Sequence, residues 1–392
     1  MKNNAISRRT LLKGALFTAG SVIASPVIGQ SSKTNSVIGS IPRIVPSNAS
    51  NISYGPAFGV AKLNANENPY GPSPLALRAM EEAIKMGSYY VQEVPRLKEM
   101  IAERNNVTPE HIIIGSGSSA PLQWLATKVT QEGHILGPDL FWDTTSKMGS
   151  MNSEYGIKRL DKTSDLAIDL DNMYDNITST TGMVQVTNPN NPTGLPLSPN
   201  ALKSFCKKAS KKTIVLIDEA YNELTDDPDA NTMIPLIKEG YNVVVARTFS
   251  KIYGLASLRV GYGISNRELI ASLNLFKQPF NTNLFAQKAA ELAIRDDKFV
   301  EYSKLNNNVM LNKLIKTFKE LSINYLGTSC NFLTFEVNRN SDNLFKYLLK
   351  NGIIVRPLIN YKLPKYLRVS LGTPSEMHRF IKSLRSYYNE KI

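Results

Sequence analysis

The sequence is poor in the residues that build metal centres and disulfide frameworks. Its 392 residues include two cysteines, Cys206 and Cys330, and three histidines. That excludes a disulfide scaffold and a cysteine-built zinc site, and the scattered histidines argue against a histidine-rich metal site. Acid is also scarce, with 33 Asp and Glu against 46 Lys and Arg, for a formal charge of +13. The surplus is not gathered into a stripe interleaved with aromatics. Pairs such as Lys207-Lys208 and Lys211-Lys212 read as solvated helix faces, which argues against nucleic acid as a partner. A surface of this sign steers anionic substrates toward it. Catalysis must therefore rest on lysine, carboxylates, hydroxyls or a cofactor. Apolar residues are plentiful at 42%, enough for a large core and two or three domains.

Residues 1–30 read as an address rather than as part of the fold. Ser7-Arg8-Arg9-Thr10-Leu11-Leu12-Lys13 precedes an apolar run, Gly14 to Ile23, that is too short to span a bilayer comfortably. Paired arginines followed by leucines and lysine look like a twin-arginine export signal, with an ordinary signal peptide as the alternative. The expected location is periplasmic or secreted, with membrane contact only during export. Residues 31–61 then read as a linker or arm.

The chemistry is concentrated where β-branched runs end. Tyr241 to Ala246 reads as a strand buried on both faces, and Arg247-Thr248-Phe249-Ser250-Lys251 follows it, with Arg259 further on. Open α/β sheets place ligands at the carboxyl ends of their strands. Hydroxyls beside an arginine suit a phosphate, and a lysine among them suits a Schiff base. Ile112-Ile113-Ile114 leads into Gly115-Ser116-Gly117-Ser118-Ser119-Ala120, a turn that brings N–H groups and hydroxyls to a helix start over Pro121 to Val129. This turn also approaches the dinucleotide fingerprint. Met183 to Thr187 ends in Asn188-Pro189-Asn190-Asn191-Pro192-Thr193-Gly194. The very apolar Thr213 to Ile217 delivers Asp218-Glu219-Ala220-Tyr221, and a carboxylate there needs a cation or a strong donor. Strand–helix alternation over residues 110–265 predicts a mostly parallel sheet covered by helices. Residues 143–165 give no clear assignment. From about residue 290 the pattern becomes α+β, with strands at 331–337, 353–357 and 366–370 and a helix at 342–350.

Taken together, these motifs resemble the fold-type I pyridoxal-phosphate (PLP) aminotransferases, and within them the histidinol-phosphate aminotransferase branch. The carriers are Leu63-Asn64-Ala65-Asn66-Glu67-Asn68-Pro69, the Asn188 to Gly194 loop, Asp218-Glu219-Ala220-Tyr221, Thr248-Phe249-Ser250-Lys251 with Arg259, Pro279-Phe280-Asn281-Thr282-Asn283 and Leu367 to Thr373. In this order they outweigh the dinucleotide reading.

The resemblance implies an α/β fold of type I. A large PLP-binding domain would span residues 62–290, and a smaller C-terminal α+β domain residues 291–392. It implies PLP as cofactor and a transaminase acting on an amino donor and a 2-oxo acid, in a homodimer with shared sites. Lys251 would carry the cofactor and move a proton. Asp218 would face its pyridine nitrogen, and Tyr221 and Asn191 its phenolic oxygen. Ser118, Ser119, Thr248, Ser250 and Arg259 would hold the phosphate, with Tyr89 or Tyr90 reaching in from the neighbour. Asn66, Arg356 and Arg368 would meet the substrate. The segment that stacks on the ring reads Pro138-Asp139-Leu140-Phe141-Trp142, which departs from the family pattern and leaves Phe141 and Trp142 as alternatives. Ala120 and Ser88-Tyr89-Tyr90-Val91 depart from it as well. The alternatives to a transaminase are a decarboxylase or lyase on the same scaffold, similar to threonine-phosphate decarboxylases, and an exported binding protein without turnover. An exported enzyme is also at odds with histidine biosynthesis, which draws on cytoplasmic substrates. The twin-arginine route carries folded proteins, so PLP could be loaded before transport.

Overall fold

The computed structural model describes residues 59–90, 95–337 and 341–389 of the chain. The paired arginines Arg8 and Arg9 and the apolar run behind them lie outside the described residues. The first strand is β1 (Ala61–Lys62). Seven strands then build the large sheet: β2 (Ile112–Gly115), β3 (His134–Gly137), β4 (Ile157–Arg159), β5 (Thr181–Thr187), β6 (Ile214–Asp218), β7 (Val243–Thr248) and β8 (Gly261–Ile264). Their spatial order is β2-β8-β7-β6-β5-β3-β4. Only β8 runs against its neighbours, pairing antiparallel with β2 and β7, while β3 to β7 pair parallel throughout. The mostly parallel sheet expected from the alternation is therefore present.

Successive residues of these strands enter two different cores, as period-two geometry requires. Ile114, Val184, Val186, Val215, Ile217, Val243 and Val245 pack into one. Ile113, Ile135, Met183, Leu216, Val244 and Ala246 pack into the other, together with Leu122, Leu125 and Ala126 of the helix Ser119–Val129. Both faces are covered, so the strands read as unbroken apolar runs. Each fully buried Val or Ile contributes about 1.5–3 kcal/mol. The alternation has a consequence for the strand ends. Thr187, Asp218 and Thr248 are the last residues of β5, β6 and β7, and by parity they share the face covered by the helix Ser119–Val129.

Several boundaries differ from the sequence reading. β7 begins at Val243 and runs on to Thr248, because Arg247 and Thr248 pair with Tyr262 and Gly261 of β8. The helix after the glycine turn begins at Ser119, ahead of Pro121. The unassigned stretch 143–165 holds the helix Thr144–Gly149 and the edge strand β4. The helices Arg267–Asn274 and Pro374–Asn389 had no expectation attached to them.

The C-terminal part has its own core around Leu314, Phe318, Phe335, Val369 and Phe380. Its strands are β9 (Phe332–Glu336), β10 (Ile353–Ile354), β11 (Arg356–Pro357) and β12 (Tyr366–Ser370), with the antiparallel order β11-β12-β9. Ala61, which the sequence reading leaves in the arm, belongs to β1 and pairs parallel with Ile353 of β10. The N-terminal segment 61–68 is thereby pinned to this sheet and then crosses to the cavity described next.

Candidate active site

A cavity of about 770 Å³ opens at the carboxyl ends of the parallel strands, where such sheets place their ligands. Its floor holds Thr187, Asp218 and Thr248. Loops add Ser118, Ser250, Lys251 and Arg259, the helix Ser119–Val129 adds its first residue, and the C-terminal part adds Arg356 and Arg368.

One end is a cluster of donors. Thr248 Oγ1 donates to Ser250 Oγ at 2.9 Å, and Ser250 N donates to Thr248 Oγ1 at 3.1 Å. Arg259 Nη1 donates to Ser250 Oγ at 3.2 Å, and its Nη2 reaches Ser119 Oγ at 3.5 Å. Arg259 adopts a left-handed φ of 57°, an uncommon conformation for a residue other than glycine. Gly117 holds a left-handed φ of 70°, which favours glycine, and leaves room for the Arg259 guanidinium beside it. Hydroxyls, a guanidinium and the N-terminus of the helix Ser119–Val129 thus converge from two distant segments.

At the centre, Asp218 is 3% exposed, and its carboxylate accepts from Ala220 N at 3.2 Å. Burial pushes its pKa up to about 7, against the stabilising Ala220 N–H and the charge of Lys251. Lys251 opens partly into the cavity but lies deep among protein atoms. Desolvation, followed by the charge of Arg368, lowers its pKa from 10.5 to about 8. Its Nζ donates to Ala65 O at 3.2 Å. Tyr221 is buried, and its hydroxyl accepts from Asn66 Nδ2 at 2.9 Å and from Asn191 Nδ2 at 3.5 Å. Burial raises the phenol's pKa above its ordinary range. Asn66 has a φ of 56° and is anchored on its other side, where Ser370 Oγ donates to Asn66 Oδ1 at 3.0 Å.

In β12, Leu367 and Val369 face the C-terminal core, which turns Arg368 toward the cavity, as the alternation in the sequence predicts. Arg368 Nη1 donates to Asn191 Oδ1 at 2.5 Å, and its Nη2 donates to Asn64 O at 3.2 Å. Its Cζ lies 5.0 Å from the Phe332 ring centroid. Arg356 Nε donates to the same Asn64 carbonyl at 3.3 Å.

The residues present suit PLP. Asp218 is a buried carboxylate with no cation within ion-pair distance among the described residues, which fits a protonated pyridine nitrogen. The donor cluster fits a phosphate. Two buried polar atoms of the lining, Thr187 Oγ1 and Arg368 Nε, have no protein partner among the described residues. Thr187 was not singled out in the sequence, although its place at a strand end was a signal for it. Asp139, from the segment expected beside the ring, also lines the cavity, as do Asp143, Lys147, Arg159, Tyr361 and Lys362, to which nothing in the sequence pointed.

The two aromatic alternatives at the ring-stacking position separate in the structure. Trp142 lines the cavity, whereas Phe141 is fully buried and does not. The reason is local, because the Phe141 ring packs back onto Gly137, where a Cβ would come within 2.7 Å of it. Tyr90 does not reach this chain's own cavity. It is 87% exposed, with its ring centroid 5.1 Å from that of Phe280.

Fold and site together define a fold-type I PLP enzyme. Residues 59–384 match the family described as aminotransferase class I and II. Histidinol-phosphate aminotransferase 2 of Legionella pneumophila (strain Paris) is 36% identical over 336 residues, covering 84% of this chain and 90% of its own. Histidinol-phosphate aminotransferase of Caldicellulosiruptor saccharolyticus is 37% identical over 332 residues, covering 83% and 91%. Among solved structures, a putative histidinol-phosphate aminotransferase of Erwinia carotovora atroseptica matches with TM-score 0.80 at 26% identity, covering 85% of this chain and 97% of that one. The Sinorhizobium meliloti histidinol-phosphate aminotransferase in complex with pyridoxal-5'-phosphate shares the fold, with TM-score 0.78 at 23% identity over 90% and 100%. The chain belongs to the class I and II aminotransferases and is a PLP-dependent transaminase.

Proposed function

We propose that this transaminase takes an amino acid or amine phosphate as donor and a 2-oxo acid as acceptor, and that it works outside the cytoplasm. The observation that carries the substrate reading is the buried Arg368 facing the cavity, its Nε without a protein partner among the described residues, with Arg356 beside it. A guanidinium in this setting binds a carboxylate or phosphate through a planar fork.

Each residue then has a task its surroundings support. Asp218 would offer its carboxylate to the pyridine nitrogen, whose proton would supply the cation that this buried acid lacks, and Tyr221 with Asn191 would supply donors for the phenolic oxygen. Ser118, Ser119, Thr248, Ser250 and Arg259 hold the phosphate, and Trp142 offers the aromatic wall. PLP, when bound, supplies a ring that withdraws electrons from the amino acid's Cα. Lys251, its pKa held near 8, is neutral often enough near neutral pH to accept the Cα proton at Nζ and return it. Arg368 also holds the Asn191 carbonyl oxygen, which leaves the Asn191 amide N–H free to point toward Tyr221. Substrate anchoring and cofactor tuning therefore share one side chain. Tyr90 and Phe280 are exposed together, and in a homodimer Tyr90 would reach the neighbour's phosphate site.

The test is product analysis with candidate amino acids and amine phosphates in the presence of 2-oxoglutarate. Formation of glutamate and a keto product is expected. Carbon dioxide release without glutamate would favour the decarboxylase reading. Borohydride reduction of the PLP-loaded protein should fix the cofactor on Lys251, and Lys251→Ala should abolish turnover while retaining part of the PLP binding. Labelling at another lysine would refute the assignment.

A further inference from the structure

The loop between β3 and the helix Thr144–Gly149 carries Trp142 at the cavity wall, and one side chain that also lines the cavity reaches both ends of it. Arg159, the last residue of β4, is the register partner of Gly137, the last residue of β3. It therefore stands beside the point where the loop leaves the sheet. Its Nη1 donates to the Asp139 carbonyl oxygen, and its Nη2 donates to the Asp143 carboxylate. Its Cζ lies 4.8 Å from the Phe141 ring centroid. One guanidinium thus touches three residues on either side of Trp142. Asp143 is nearly buried, and its second cation, Lys147 at 2.8 Å, is a solvent-exposed side chain. Exposed pairs of that kind restrain little, whereas the planar Arg159 fork fixes direction as well as distance.

We propose that Arg159 is a positioning residue for the aromatic wall, with Phe141 locked inward and Trp142 turned toward the cofactor's place in the cavity. The inference rests on the reading of Trp142 as that wall. Carbonyl contacts complete the clamp from the sheet side, where Asn190 Nδ2 donates to Leu140 O at 2.9 Å and Gln185 Nε2 donates to Trp142 O at 3.4 Å. Those contacts fix the backbone near the wall. Among the described residues, Arg159 alone joins the loop's start, its inward ring and its end. Without it, Asp139 O and Asp143 lose their common anchor, and the indole plane is free to tilt.

The chain has two tryptophans, so Trp124→Phe leaves Trp142 as the single tryptophan emitter. In that full-length background, PLP titration is expected to quench most of the emission. Adding Arg159→Met, which keeps an unbranched side chain and removes the guanidinium, should weaken PLP binding about three- to tenfold, the scale of one lost aromatic contact. It should also leave clearly more residual emission at saturation, with borohydride still labelling Lys251. Arg159→Lys should not restore the quench, because an ammonium cannot bridge both acceptors. Asp143→Asn, which keeps the shape and removes the charge, should give an intermediate quench and carries the test if Arg159→Met does not fold. Full quench at saturation in these variants, with only a lowered melting temperature, would overturn the proposal and leave Trp142 as the wall. Labelling of Lys251 without quench in the Trp124→Phe background would overturn both.

Discussion

Asp218→Asn in the cofactor-free protein isolates the cost of preparing this site. Burial raises the Asp218 pKa from an ordinary 3.8 to about 7. Because the folded pKa lies above the unfolded one, the folded state retains a proton that the unfolded chain has lost between about pH 4 and 7. Stability contributed by this group therefore falls as pH rises through that window and stays low above it. At 1.36 kcal/mol per pH unit the rise corresponds to about 4 kcal/mol, and water in the open cavity screens part of it, so about 2–4 kcal/mol is expected. Asparagine has the same shape and no charge, so it escapes the penalty. Urea unfolding at matched pH should put the Asp218→Asn variant ahead by only about 1 kcal/mol at pH 4.5, where the unfolded carboxylate has begun to ionise and the folded one has not. At pH 8 the Asp218→Asn variant should be the more stable by about 2–4 kcal/mol. Comparing variants at one pH cancels every other titration. The same substitution should weaken PLP binding at least about tenfold, because the pyridine nitrogen loses its charged partner. A stability difference that does not change between pH 4.5 and 8 would refute the reasoning.

Arg368→Lys should lower kcat/KM for amino-acid substrates about ten- to a hundredfold, since losing hydrogen bonds to a charged group costs about 1.5–3 kcal/mol. The PLP absorption should be unchanged. An unaltered kcat/KM with a lowered melting temperature would move the anchor to Arg356. Stopped-flow uptake of PLP by the cofactor-free protein should accelerate as pH rises through about 8, where Lys251 loses its proton, and a midpoint near 10.5 would contradict its desolvation. Arg8→Lys with Arg9→Lys should retain the protein in the cytoplasm. Processed protein reaching the periplasm in that double variant would favour an ordinary signal peptide.

Much of the site was legible because its residues sit where local patterns end. A β-branched run announces a buried parallel strand, and its last residue lies at the sheet's ligand-binding edge. Asp218, Thr248 and Lys251 follow from that rule, and the turn at Ser118-Ser119 follows from its glycines. Arg368 was legible for a related reason, since alternation along an apolar strand puts one parity in the core and turns the other away. The antiparallel β8, which draws β7 out to Thr248, was not legible, because pairing partners are chosen across space. Tertiary structure alone shows that Trp142, and not Phe141, lines the cavity. Neighbours in sequence point to opposite sides, and only Gly137, with no side chain beneath the ring, shows which one goes inward. The same holds for Arg159, whose role depends on β4 lying beside β3, and for the bond from Arg368 to Asn191, which joins residues 177 positions apart. The order of residues along the chain determines which chemistry each strand end carries. Which side chains face one another across the cavity depends on the order and register of the strands, and those are set by packing over the whole chain.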